Sequence, residues 1–169
     1  MDNNLRNILL STVFGTGSGT ADLNPSAFMI DYCENVYFSG WGSDVANPTD
    51  HVGTTNGLYV SSNAVQKTTD GNDFYLIVFS KNLQNIAYAT FFGSPGQVGE
   101  FNDHVDGGTS RFDPRGVVYQ SVCSSCPAGG LSQISNFPTT ANAFSRTNPS
   151  PRCSNASFKI DFQISNAVI

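Results

Sequence analysis

The feature that most constrains this 169-residue sequence is an internal repeat. Asn7-Ile8-Leu9-Leu10-Ser11-Thr12-Val13-Phe14-Gly15 matches Asn85-Ile86-Ala87-Tyr88-Ala89-Thr90-Phe91-Phe92-Gly93 at an offset of 78, with five of nine positions identical. Residues 31–39 match 113–121 at an offset of 82, 63–68 match 142–147 at 79, and 73–79 match 156–162 at 83. The matches keep their order, and the small changes in offset reflect loops of unequal length. A chain built from one recurring supersecondary unit buries its core by stacking neighbouring units.

Each repeat holds four strand-like runs. In the first they span about 27–31, 35–41, 73–80 and 86–92, by the alternation and β-branched or aromatic content that mark strands. The links 32–34 and 81–85 have hairpin length. The second repeat shows runs near 110–113, 117–122 and 157–162, with no fourth run after them. The chain opens instead with an unattached strand-like run, 8–14. No long window shows helical periodicity with caps. The expectation is an all-β chain of eight strands: residues 1–15 as a fourth strand for a preceding or neighbouring unit, 26–93 as a complete unit, and 108–164 as a unit lacking its own fourth strand.

Composition agrees. Charged residues make up only 12%, about half the usual share, so polarity comes from Asn, Ser, Thr and Gly, the residues of turns. Hydrophobic residues at 39% exclude disorder. The net charge is −5, and eight scattered basic residues cannot neutralise a phosphate backbone, so nucleic acid is not an expected partner. No run approaches the roughly 20 apolar residues of a membrane-spanning helix. Arg6 followed by residues 8–14 has the pattern of a short signal peptide, but the repeat explains the segment better.

Four antiparallel strands per repeat is the plan of a β-propeller blade. The runs 28–42 (Phe-Met-Ile-Asp-Tyr-Cys-Glu-Asn-Val-Tyr-Phe-Ser-Gly-Trp-Gly), 104–113 (His-Val-Asp-Gly-Gly-Thr-Ser-Arg-Phe-Asp) and 137–144 (Phe-Pro-Thr-Thr-Ala-Asn-Ala-Phe) resemble the SBBP-type β-propeller repeat. They are most similar to the version found in large secreted and surface proteins of gliding bacteria. The resemblance covers nearly the whole chain and implies part of a propeller on an exported protein, often with adhesion-type modules. It brings no catalytic residues. The long loops depart from the shortest repeats of that family.

Strand direction alternates within such a unit, so the tight turns share one rim. The long connections 15–26, 42–72, 93–109 and 123–155 share the other, where binding usually resides. On that rim lie the candidate binding residues Trp41, Asp50, His51, Asp103, His104 and Asp106. Asp70, Asn72 and Asp73 are a weak calcium candidate, because the run lacks the spaced acids and closing Glu of a calcium loop. Asx-turn chemistry explains it more simply. No other cofactor is expected. Gly15-Thr16-Gly17-Ser18-Gly19 is not followed by a helix and reads as a loop. Asn155-Ala156-Ser157 fits a glycosylation sequon at a strand start.

Cys123 and Cys126 follow a strand on the long-loop rim, and Cys153 precedes the next strand there. Cys153 is therefore expected to pair with Cys126 or Cys123, and not with Cys33, which lies in a tight turn on the opposite rim. Zinc or redox use of Cys123-Ser124-Ser125-Cys126 lacks a second close pair or a βαβ context.

These readings leave two classes open. One is a non-catalytic binding or structural module of a secreted or cell-surface protein, presenting long loops to a glycan or a protein. The other is a propeller glycosidase or lyase that uses the loop carboxylates, which would have to converge in a cleft. For assembly the expectations are also two: a homo-oligomer in which the opening strand completes another copy's unit, or flanking blades in a parent protein.

Overall fold

The computed structural model describes residues 6–42, 53–96, 101–105, 110–127, 136–147, 150 and 152–162. These form an all-β structure with no helix and eight strands: β1 (Asn24–Ile30), β2 (Val36–Trp41), β3 (Phe74–Phe79), β4 (Ile86–Phe92), β5 (Phe101–His104), β6 (Arg111–Asp113), β7 (Val117–Pro127) and β8 (Ser154–Asp161). No helix among the described residues is long and apolar enough to cross a membrane.

The first sheet is an antiparallel meander, β1-β2-β3-β4, compatible with a propeller blade. β3 is Phe-Tyr-Leu-Ile-Val-Phe and is buried on both faces, which is why it reads as a continuous apolar run rather than an alternating one. In the second sheet β7 is central. β8 pairs along one edge of it, while β5 and β6 share the other edge end to end. β8 alternates half-buried Ala156, Phe158 and Ile160 with exposed Asn155, Ser157 and Lys159, as a strand with one wet face should.

The two halves repeat the same turns. Glu34 N–H donates to Asp31 C=O at 3.0 Å, and Gly116 N–H donates to Asp113 C=O at 2.8 Å. The Asp31 and Asp113 carboxylates each accept the N–H two residues on at 2.8 Å. Both turns end in a left-handed residue, Glu34 at φ 66° and Gly116 at φ 88°. Glycine removes the steric cost of that conformation, and at 116 a Cβ would also come within 2.6 Å of the Tyr37 hydroxyl. In the loops, Ala64 N–H to Ser61 C=O recurs as Ala143 N–H to Thr140 C=O.

Register confirms one match and shifts another. Met29↔Tyr37 and Ile30↔Val36 in the first sheet answer Arg111↔Tyr119 and Phe112↔Val118 in the second, at the offset of 82. Val36 faces Phe79, however, whereas Val118 faces Ile160. β8 is therefore displaced by two residues from the 83-residue match. A slip of two keeps every side chain on its face, so the sequence pattern cannot detect it.

The sheets pack face to face. Trp41 and Phe74 from the first meet Val122 from the second and Phe137 from the loop between β7 and β8, with Phe92 and Phe158 against them. Tyr37, Val78 and Tyr88 meet Phe112 and Phe162. The opposite face of the first sheet, with Tyr75, Ile77, Phe79, Ala89 and Phe91, is covered by Leu58 and Val60 of the β2–β3 loop.

One strand assignment needs correction, and another finds no partner among the described residues. Residues 8–14, expected as a strand of a preceding or neighbouring unit, have no regular structure here and leave Ile8, Leu9 and Val13 exposed. A strand persists only where another edge takes up its backbone hydrogen bonds, and among the described residues no strand pairs with this segment. Conversely, Phe101–His104 form β5, although Asn102-Asp103-His104 reads as a polar loop. The first strand of the second unit is thus interrupted rather than short.

Cys126 and Cys153 form a disulfide that closes a separation of 27 residues. Cys33 is exposed and lies outside it, as the antiparallel strand directions require. Cys126→Ser is expected to lower stability by about 2–4 kcal/mol, chiefly by freeing the unfolded chain. Urea denaturation of the wild type with and without reductant provides the check, and equal midpoints would contradict it.

Candidate functional site

The antiparallel pairings place the turns 31–35, 80–85 and 114–116 at one end of the sheets and the long connections at the other. At the base of the long connections lies a buried polar cluster. Asp73 at the start of β3 and Asp103 in β5 are each 1% exposed, and Asp70, Asn72 and Ser94 are buried beside them. Local turn chemistry sets the first run: Gly71 N–H donates to Thr69 Oγ1 and Asn72 N–H to Asp70 Oδ1, both at 2.9 Å.

Asp103 accepts from Ser94 N–H at 2.5 Å, Ser94 Oγ at 2.9 Å and Ser125 N–H at 2.8 Å. Its own N–H donates to the Asn72 carbonyl. Asp73 Oδ2 accepts from Gln66 Nε2 at 3.2 Å, while Asp73 Oδ1 is buried without a hydrogen-bond partner among the described residues. Both carboxyls converge on Gly93. A Cβ there would collide with Asp73 Oδ1 and lie 2.6 Å from Asp103 Oδ2, so only glycine fits between them. Five segments of the chain, those around 66, 72, 94, 103 and 125, are tied together at this point.

Burial dominates the electrostatics. Desolvation raises the Asp73 carboxyl to about 7, and the neighbouring Asp70 and Asp103 push the same way, against hydrogen bonds from Thr69 and Gln66. Desolvation raises Asp103 to about 6 despite three hydrogen bonds from Ser94 and Ser125. In contrast, half-buried Asp113 is held down to about 2 by the Arg115 guanidinium at the opposite end of the sheets.

The structure thus gathers Asp70, Asn72, Asp73 and Asp103, which the sequence reading had divided between a metal run and a binding rim. His104 lies next to them. Its Nδ1 is 2.6 Å from Asn102 Oδ1, and its ring is tilted against Trp41 with centroids 5.7 Å apart. Trp41 is 5% exposed and packs in the core between the sheets. Asp50, His51 and Asp106 lie outside the described residues. Among the described residues no group of three or more His, Cys, Asp or Glu is arranged to hold a metal ion. Ser94 and Ser125, whose hydroxyls are 2.8 Å apart, complete the cluster and were missed by the sequence reading, because single serines carry no pattern.

Outside this cluster three large apolar side chains of the described long loops are exposed. Tyr59 and Val65 are more than half exposed, and Phe144 is fully exposed. The Tyr59 backbone is fixed from below, its carbonyl accepting the Tyr75 hydroxyl at 2.7 Å. The chain matches no protein-family model, no curated protein and no solved structure.

Proposed function

We propose that the chain is a non-catalytic binding or structural module of a secreted or cell-surface protein, built of two blade-like units of the SBBP propeller type, which presents its long loops to a glycan or a protein. One observation carries this reading. At the long-loop end Asp73 and Asp103 are sealed at 1% exposure, while Tyr59 is more than half exposed. A glycosidase needs its two carboxyls on a cleft that admits the sugar. Here they pin loops together, a service to a rigid presenting surface. Rigid, exposed aromatic rings are favoured contact elements for sugars and proteins because ordering them costs little entropy. The disulfide is compatible with an oxidising compartment.

A glycan array probed with the purified chain, with and without calcium, tests the reading. Binding without turnover, weakened about tenfold or more by Tyr59→Ala, is the expected result at roughly 1.4 kcal/mol per decade. Hydrolysis or elimination of a glycan, abolished by Asp103→Asn, would instead establish the glycosidase or lyase. Calcium-dependent binding lost in Asp70→Asn would assign the acidic run to a metal.

A further inference from the structure

In the first repeat, β4 lies between β3 and a returning loop. It pairs with β3 along Leu76↔Thr90 and its neighbours, and on its other side the Ser61 N–H donates to the Ala89 carbonyl and the Phe91 N–H to the Gln66 carbonyl. The second repeat has the same loop with the same turn, Thr140 to Ala143. Among the described residues, however, β8 pairs with β7 only. Between β8 and residues 137–147 is a cleft of about 1050 Å³, lined by Val65, Phe92, Phe137, Phe144, Phe158 and Ile160 among others. It occupies the place that β4 fills in the first repeat.

The chain also carries a segment with the sequence of β4 and no place in a sheet. Residues 7–15 share five of nine positions with 85–93, and Ile8, Leu9, Leu10 and Val13 are more than half exposed. We propose that residues 8–14 of one copy insert as the missing strand beside β8 of a second copy. The register follows from β3–β4 pairing and the observed position of β8: antiparallel, with Phe14 opposite Asn155, Thr12 opposite Ser157 and Leu10 opposite Lys159. Leu9, Ser11 and Val13 then join Ala156, Phe158 and Ile160 on the face turned to the first sheet. Their backbone groups satisfy the open edge of β8.

The donor is a second copy rather than the chain's own segment. Phe14 packs on Phe38 and Phe79, on the face of the first sheet turned away from the second, with centroids 5.1 and 5.3 Å apart. Thr16 is anchored there by two hydrogen bonds to Asp22. To lie opposite Asn155, Phe14 would have to cross the sheet while Thr16 stays fixed. Two residues of extended chain span about 7 Å, less than the roughly 10 Å between packed layers.

Sedimentation velocity of the full chain is expected to show species larger than the 18.1 kDa monomer, and deletion of residues 1–15 to convert them to monomer. A synthetic peptide of residues 7–15 added to the deleted chain should slow amide exchange at 154–161, and a scrambled peptide should not. Should the deletion fail to fold, the full chain with Cys33→Ser and Cys123→Ser carries the test. Thr12→Cys with Ser157→Cys is expected to give intermolecular disulfides on a non-reducing gel. Ser11→Cys with Ser157→Cys, on opposite faces, is not. A full chain that stays monomeric at high concentration and forms no cross-link in the first pair overturns the proposal. So does protection of 154–161 in a monomer, which would mean that the cleft is filled from within the chain.

Discussion

Phe74→Ala is expected to cost about 3–5 kcal/mol, the range for deleting a fully buried aromatic ring. Phe74 is 0% exposed, opens β3, and meets Phe158 edge-on at 5.9 Å between centroids. It belongs to the cluster with Trp41, Val122 and Phe137 that joins the two sheets. Removing the ring leaves a cavity that neither sheet can close alone, because each is held by its own ladder. Against a typical total of about 5–15 kcal/mol, such a loss is a large fraction of the stability. Urea denaturation followed by circular dichroism checks it. A loss under about 1 kcal/mol would mean that the sheets do not depend on this contact.

Stability is expected to fall as pH rises from about 5 to 8, by several kcal/mol. The Asp73 and Asp103 carboxyls titrate near 7 and 6 in the folded protein, and near 3.9 when unfolded. Between those values the folded chain keeps protons that the unfolded chain has lost. Stability is therefore full below about pH 4, declines through the folded values, and levels off above about pH 7. At roughly 1.4 kcal/mol per pKa unit, the shift at Asp73 alone amounts to a loss on the order of 4 kcal/mol. The pair between Asp113 and Arg115 acts with the opposite sign, but only between about pH 2 and 4 and with its Arg115 end screened by solvent. Asp73→Asn should flatten the decline between pH 5 and 8. Stability that rises over that interval would contradict the buried, protonated cluster.

How much of this was legible follows from what each element needs. β2, β3 and β4 were readable because aromatic and branched side chains at strand spacing leave few alternatives, and the turns at Asp31 and Asp113 repeat in sequence as they repeat in space. The disulfide partner was narrowed to two by strand direction; the choice of Cys126 over Cys123 depends on how far β7 runs, and β7 continues to Pro127. β5 was hidden because Asn102 and Asp103 are polar yet buried, and what satisfies Asp103, the Ser94 and Ser125 groups, is distant in sequence. The two-residue displacement of β8 was invisible because it preserves the alternation. The segment 8–14 reads as a strand, and its residues suit one, but strand formation depends on an edge, and among the described residues none pairs with it. The site was legible only in pieces: Asp70, Asn72, Asp73 and Asp103 were marked individually, and their convergence on Gly93 is a product of the fold.

The stacking of the two repeat units is tested most directly by NMR on a sample with labelled phenylalanine rings. Nuclear Overhauser contacts are expected from Phe158 to both Phe92 and Phe74, whose ring centroids lie 4.7 and 5.9 Å away, and from Phe162 to the Tyr37 and Tyr88 rings at 5.8 and 5.3 Å. Contacts of Phe158 and Phe162 confined to their own sheet would contradict the face-to-face packing on which the account rests.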